Sequence, residues 1–259
     1  MSTDAKSIQW YEDNADGYTA HVRNPEDSIY HSLYEKPAMY SLVPGIKGKR
    51  VLSLGCGSGE DSYYLKSMGA AESIGIDISN NLIQIATASY PDCVFRQMNM
   101  ESLSFDNEQF DFAYSSLAIH YVEDWTPVFK EVFRVLRPGS NFLFSANHPV
   151  KSSMVMTLND EEKQVRQFSL VKYKNLRTIE VIGSYLGRKK LDDGLGTMGD
   201  VTVWHKSISE VIGEATNAGF VLDAFVEPTP LEKMKQISER DYNKLLKIPE
   251  FMILRLLKR

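Results

Sequence analysis

The stretch Arg50–Asp61 constrains the fold of this chain more than any other. Val51-Leu52-Ser53-Leu54 is a short apolar run of the kind that a strand buried on both faces requires. It passes directly into Gly55-Cys56-Gly57-Ser58-Gly59. Glycines at alternate positions turn the backbone sharply and leave no Cβ between the chain and a ligand. A helix over Ser62–Met68 is expected next, with Leu65 and Met68 on one side, then a second strand, Ser73–Asp77, ending in a carboxylate. In a doubly wound sheet these two strands end side by side at the carboxyl edge. An acid at the second strand end accepts hydrogen bonds there from the two hydroxyls of a ribose. A nucleoside-containing ligand is the expectation.

The glycine spacing narrows that ligand. A dinucleotide-binding loop reads Gly-x-Gly-x-x-Gly, because a pyrophosphate must reach a helix N-terminus. Here Gly59 comes one residue early, Glu60 stands in the slot of the third glycine, and Asp61 follows. Carboxylates at that place repel a pyrophosphate and suit a positively charged ligand, such as a sulfonium or an ammonium. The alternative is an acidic first helical turn that complements the helix dipole.

The run Val51–Gly59, followed by Gly75-Ile76-Asp77-Ile78-Ser79, resembles the class I S-adenosylmethionine-dependent methyltransferases. Among these it is most similar to the small-molecule group that includes the ubiquinone-biosynthesis type. The resemblance covers residues 10–148 well and 204–257 more loosely. It implies an α/β, Rossmann-like doubly wound sheet of seven strands in the order 3-2-1-4-5-7-6, strand 7 antiparallel, with a cap insertion. It also implies S-adenosylmethionine as cofactor and S-adenosylhomocysteine as product. The cofactor cradle it implies takes Gly55, Cys56, Gly57, Gly59 and Asp61 from the loop, Asp77 for the ribose, and Ile78 for one face of the adenine. Asn99 stands where the family carries an acid that accepts from the adenine amino group; an amide oxygen accepts the same bond without a charge. Met100 offers a backbone N–H to the ring, and Ser115 contacts the methionine portion through its backbone. Tyr11 and Tyr18 match an N-terminal helix that lies over the cofactor, the alternative being that both rings only pack that helix onto the sheet.

The rest of the chain divides around this core. One domain over residues 1–259 is expected, with a helical lid over 1–45, the cofactor core over 46–149, an inserted cap over 150–205 and the rest of the sheet over 206–259. Helices are expected over 8–23, Pro37–Val43 and Asn80–Ser89, the last capped by Ser79. Thr126-Pro127 reads as the start of another helix, with a stripe of Val128, Phe129, Val132, Phe133 and Leu136. Arg137-Pro138-Gly139 then turns into a strand over Asn141–Ala146. Cys93–Met98, Phe110–Ser116, Phe220–Val226 and Phe251–Leu257 complete the sheet. The cap reads as antiparallel hairpins, with Arg177–Ile182 and Val201–His205 strand-like. Ser207–Glu210 is a capping box for a helix to Ala218, and a helix over Leu231–Lys247 precedes the last strand.

Methyl transfer from a sulfonium needs approach geometry and exclusion of water, and needs a base only where the acceptor is protonated or weakly nucleophilic. His120, just past strand four, is the first candidate base, His148 at the end of strand five the second, and His205 the third; for each, a structural hydrogen-bonded role is the alternative. No Cys/His spacing suits a metal, and no nucleophilic-serine elbow occurs. A net charge of −5 disfavours a broad polyanion-binding face. No Asp/Asn-Pro-Pro-Tyr/Phe motif and no double-glutamate hairpin are present, which points to a small-molecule acceptor rather than nucleic acid. Two cysteines suit a reducing compartment, the N-terminus has no signal pattern, and no apolar run approaches a membrane span, so the cytoplasm is expected. Two other functions remain open. One is an NAD(P)-dependent oxidoreductase, opposed by Gly59, Glu60, Asp61 and the lack of a Tyr-x-x-x-Lys pair; the other is a non-catalytic S-adenosylmethionine sensor, kept open by Asn99. The acceptor atom is an oxygen, a nitrogen or a carbon.

Overall fold

The glycine loop follows an inner strand of a seven-stranded sheet, at the carboxyl ends of its parallel strands. A computed structural model describes residues 3–158, 164–172, 179–194 and 199–259. The strands are β1 (Arg50–Leu54), β2 (Glu72–Asp77), β3 (Val94–Gln97), β4 (Phe110–Ser115), β5 (Leu136–Asn147), then β6 (Val155–Leu158), β7 (Gln164–Gln167), β8 (Ser169–Lys172), β9 (Ile179–Ile182), β10 (Lys189–Gly194), β11 (Asp200–His205), β12 (Phe220–Val226) and β13 (Phe251–Lys258). The main sheet has the order β12-β13-β5-β4-β1-β2-β3. Its members are parallel except β13, which runs antiparallel to both β5 and β12. This is the expected order, with β13 as the seventh strand.

Alternation along β1 explains its burial on both faces. Leu52 and Leu54 join Ile74, Ile76, Phe142 and Phe144 under α6 (Trp125–Val135) and α8 (Ile208–Asn217). Val51 faces the other way, with Phe112, Leu143 and Ile253, under Met39 of α3 (Lys36–Ser41) and Leu65 of α4 (Glu60–Ser67). Phe129 and Val132 of the apolar stripe on α6 are fully buried.

Several boundaries differ from the sequence reading for local physical reasons. The N-terminal helix breaks at Asn14, giving α1 (Ala5–Asp13) and α2 (Ala15–Arg23). A π-turn, His31–Glu35, precedes α3. Helix α6 is capped by Asp124 rather than Thr126, because the Asp124 carboxylate accepts from Thr126 N at 3.1 Å. The Arg137–Gly139 bend lies inside β5 rather than before it; Gly139 takes φ +82° and the register to β4 shifts there. The expected helix over Leu231–Lys247 is two short ones, α9 (Lys233–Ile237) and α10 (Glu239–Leu245), because Ser238 leaves helical geometry and caps α10. Ser79 caps α5 (Asn80–Ser89), accepting from Leu82 N, as expected.

Between α7 (Pro149–Ser153) and α8, strands β6 to β11 pair as three antiparallel hairpins outside the main sheet. Arg177 and Thr178 of the expected strand Arg177–Ile182 lie outside the described residues, whereas Ile179–Ile182 form β9. Among the described residues, no helix is long and apolar enough to cross a membrane.

Candidate functional site

A pocket with about 690 Å³ of atom-free space opens at the carboxyl ends of β1, β2 and β4, under α1 and α2. The turn after β1 forms its floor. Gly55 has φ +62°, and a Cβ there would stand 2.3 Å from the Cβ of Ala118, so only glycine lets the two turns touch. Gly57 lies under the Tyr18 ring, whose Cε1 would be 3.3 Å from an added Cβ. Gly59 has a different role: it caps α4 in the left-handed region and packs against Phe95, away from the pocket lining.

Asp77 joins the loop to the second strand. Its Oδ2 accepts from Gly57 N at 2.9 Å and its Oδ1 from Ser79 N at 3.0 Å. Burial raises its pKa, and those backbone donors oppose the rise. Ile78, Leu82, Met98 and Met100 form an apolar slot beside it, with Asn99 on the same wall. The Asn99 side chain is folded onto its own turn: Oδ1 accepts from Glu101 N at 2.9 Å. Tyr11 and Tyr18 also line the pocket. Tyr121 was not singled out from the sequence, yet its hydroxyl lies 2.6 Å from that of Tyr11, and the two rings meet edge to face at 5.4 Å. Burial pushes the Tyr11 and Tyr18 phenols well up, so both are neutral.

The other residues singled out from the sequence are near but outside this lining. Cys56 is buried behind the loop, with burial raising its thiol pKa. Ser115 is buried at the end of β4. Asp61 faces Lys36 Nζ at 2.6 Å and the Tyr40 hydroxyl at 2.7 Å. Glu60 pairs with Arg23 Nε at 2.7 Å. Both acids of the first turn of α4 are thus matched by cations of this chain. The expectation that they meet a ligand's charge gives way to ion pairing that draws the N-terminal segment onto α4.

The histidines also turn away. The 3-10 turn Ile119–Tyr121 sends His120 into the core and leaves Tyr121 on the pocket. His120 Nδ1 accepts from Asn147 N at 3.4 Å, and burial lowers its pKa to about 3. His148 caps α7 through Nδ1, its Nε2 is 3.0 Å from Glu227 Oε1, and burial lowers its pKa against the pull of that carboxylate. His205 donates from Nε2 to the Tyr185 carbonyl at 2.7 Å, and the Ser152 hydroxyl donates to its Nδ1. None of the three lines the pocket. The signal for Tyr121 was present: an aromatic directly after His120 in a short run beyond β4. What the sequence lacks is the turn that decides which of the two neighbours points inward.

Residues 52–144 match the family model described as a methyltransferase domain. An uncharacterized protein of Haemophilus influenzae is 31% identical over 147 residues, 52% of this chain and 58% of that protein. The demethylmenaquinone methyltransferase of Lactococcus lactis is 31% identical over 127 residues, 46% of this chain and 50% of that protein. The chain thus spans about half the length of these curated relatives. The crystal structure of an S-adenosylmethionine-dependent methyltransferase from Mesorhizobium loti aligns with a TM-score of 0.72 at 25% identity, covering 86% of this chain and 97% of that one. The matched methyltransferase domain over residues 52–144, the strand order and the glycine loop agree, and the chain shares the fold of that S-adenosylmethionine-dependent methyltransferase.

Proposed function

We propose that this chain transfers a methyl group from S-adenosylmethionine to a small-molecule acceptor. The observation that carries the reading is Asp77, a carboxylate at the end of β2 on the wall of a pocket floored by Gly55 and Gly57. The donor and acceptor set fits such a ligand: a carboxylate for a ribose, an apolar slot for a purine, and neutral aromatic rings over the remaining space. Asp77 takes the ribose hydroxyls. Ile78, Leu82 and Met100 sandwich the base, and Asn99 meets its edge once its amide leaves Glu101. Tyr11, Tyr18 and Tyr121 exclude water from the reacting end. Cys56, Gly59, Asp61 and Ser115 hold the frame behind this lining.

The bound cofactor supplies a methyl group already activated as a sulfonium. The protein's part is then orientation and desolvation. His120 and His148 are neutral structural groups in this reading, and neither acts as a base. The small-molecule acceptor is supported by the name of the Lactococcus relative and by the net charge of −5, which also opposes a nucleic-acid substrate. Two free buried cysteines support a cytoplasmic setting. Residues 1–45 act as a lid and 150–205 as a cap over the acceptor. Calorimetric titration with S-adenosylmethionine, S-adenosylhomocysteine and NADH tests the cofactor. Binding of both adenosyl ligands without NADH is expected, and binding of NADH alone would overturn the proposal.

A further inference from the structure

Behind the pocket wall lies a carboxyl group with no part in the reading above. Glu35 ends the π-turn His31–Glu35 and is fully buried. Its Oε1 accepts from Ser116 Oγ at 2.9 Å and from Ser145 Oγ at 2.5 Å, while Oε2 has no hydrogen-bond partner among the described residues. Ser145 Oγ in turn accepts from Leu117 N at 2.9 Å. Leu117 has φ +48°, a strained conformation for a branched side chain. Ser116, Leu117 and Ala118 all line the pocket, so this carboxyl ties down their turn from behind.

The groups that face Glu35 come from several elements: Lys36 and Tyr40 from α3, Asp61 from α4, and Tyr114 from β4. Lys36 and Asp61 are a matched pair at 2.6 Å, and Tyr40 donates to the same Asp61. Burial keeps the Tyr40 and Tyr114 phenols neutral. An ionised Glu35 is therefore the surplus charge of this buried group. Burial raises its pKa to about 7, against the pull of Lys36 and the two serine hydroxyls.

Resting on the cofactor assignment above, we propose that Glu35 is a specificity-determining positioning residue. From behind Ser116, its carboxylate favours a ligand with a sulfonium cation over the neutral sulfide that methyl transfer leaves. A negative charge one hydroxyl behind the wall stabilises a cation in the pocket, and in a low-dielectric interior that attraction is weakly screened. Loss of the ligand's charge makes the carboxylate costlier, and Glu35 then holds a proton more tightly. The spent cofactor is thus the weaker ligand.

The test is calorimetric titration of the full chain with S-adenosylmethionine and S-adenosylhomocysteine at about pH 6 and about pH 8, in the wild type and in Glu35→Gln. In the wild type, the affinity ratio of the sulfonium to the sulfide ligand should rise roughly three- to tenfold between these pH values. The glutamine keeps an oxygen for the two hydroxyls and carries no charge, so its ratio should stay flat. Both ligands are measured on one sample, so a smaller folded fraction in the variant does not move the ratio. A ratio that climbs equally in Glu35→Gln overturns the role of Glu35. A flat wild-type ratio overturns the inference and leaves the cofactor assignment standing. Failure of both ligands to bind the wild type overturns the assignment itself. A second measurement needs no variant: titrations in two buffers of different ionisation enthalpy at about pH 7 count the protons taken up. More protons should accompany the sulfide than the sulfonium ligand, and equal numbers overturn the proposal.

Discussion

Asp77 does two things with one carboxylate. It accepts from Gly57 N and Ser79 N, which sets the loop, and it stands on the pocket wall. Replacing it with alanine should weaken S-adenosylhomocysteine binding by about 1.5–3 kcal/mol, as expected for lost charge-assisted hydrogen bonds. Calorimetry measures this, and an unchanged affinity would remove Asp77 from the ribose. Gly55 shows the steric limit of the same loop. A Cβ there meets Ala118 at 2.3 Å on a backbone with φ +62°. Gly55→Ala should cost about 2–4 kcal/mol of unfolding stability in urea, from backbone strain and overpacking together. Among the described residues Gly45 has nothing within 4 Å of an added Cβ, so Gly45→Ala is the control and should stay within about 0.5 kcal/mol of the wild type.

Helix α1 is fastened at both ends of one face. The Glu12 carboxylate accepts from Ser79 Oγ at 2.6 Å and from Asn81 N at 3.2 Å, at the start of α5. The negative charge lies at a helix N-terminus, where the dipole favours it. Ser7 Oγ donates to the Thr202 carbonyl at 3.1 Å and accepts from Thr202 N at 2.8 Å, which binds α1 to β11. A helix of nine residues has little stability of its own, so these tertiary bonds decide whether it stays docked. Glu12→Ala should raise amide hydrogen exchange in α1 by roughly tenfold, the loss of about 1–1.5 kcal/mol of hydrogen bonding, and leave the β4 and β5 amides unchanged. Uniform exchange across both regions would show that α1 opens only when the whole fold does.

Across the whole molecule, buried ionisable groups set opposing pH windows. His120 has its pKa lowered to about 3 and His31 to about 4, both by burial. A depressed imidazole stays neutral in the folded state while the unfolded chain takes up a proton, so its contribution is lost as pH falls below about 6.5. Glu35 is raised to about 7, so it works the other way. Its folded form keeps a proton that the unfolded chain releases, and stability falls as pH rises from about 4.5 to about 7. Each proton of difference is worth about 1.4 kcal/mol per pH unit. Below about pH 4.5 the carboxylates with lowered pKa values, Asp111, Glu131 and Glu250 among them, add to the acid loss. Urea unfolding across this range should show a shallow profile between about pH 4.5 and about pH 6.5 and a steep fall below it. In Glu35→Gln the opposing window is gone, and stability should rise more steeply with pH through that range. Identical profiles would mean that Glu35 does not titrate there.

The strand runs, the glycine loop and the terminal carboxylate of β2 were legible in the sequence because each depends on local pattern: apolar runs, absent Cβ atoms, and an acid at a strand end. The strand order came only through family resemblance, since no local signal says which strands pair. The same holds within the site. Gly55, Gly57 and Asp77, read from the loop and the strand end, line the pocket together with Ile78 and Met100, which the family resemblance singles out, because the sheet brings consecutive strand ends together. Glu60 and Asp61 read as ligand-facing charges, but Arg23 and Lys36, distant in sequence, neutralise them. His120 read as the reactive group beyond β4, but a single 3-10 turn exchanged it for Tyr121. Glu35 carries no signal in the sequence, because a lone glutamate between Tyr34 and Lys36 has no pattern. Its burial arises only when Ser116, just past β4, and Ser145 of β5 close on it. Backbone periodicity and glycine placement are properties of neighbours in the chain, and the sequence determines them. Which charges are matched and which side chains face the pocket depend on groups far apart in the chain, and the tertiary structure alone decides them.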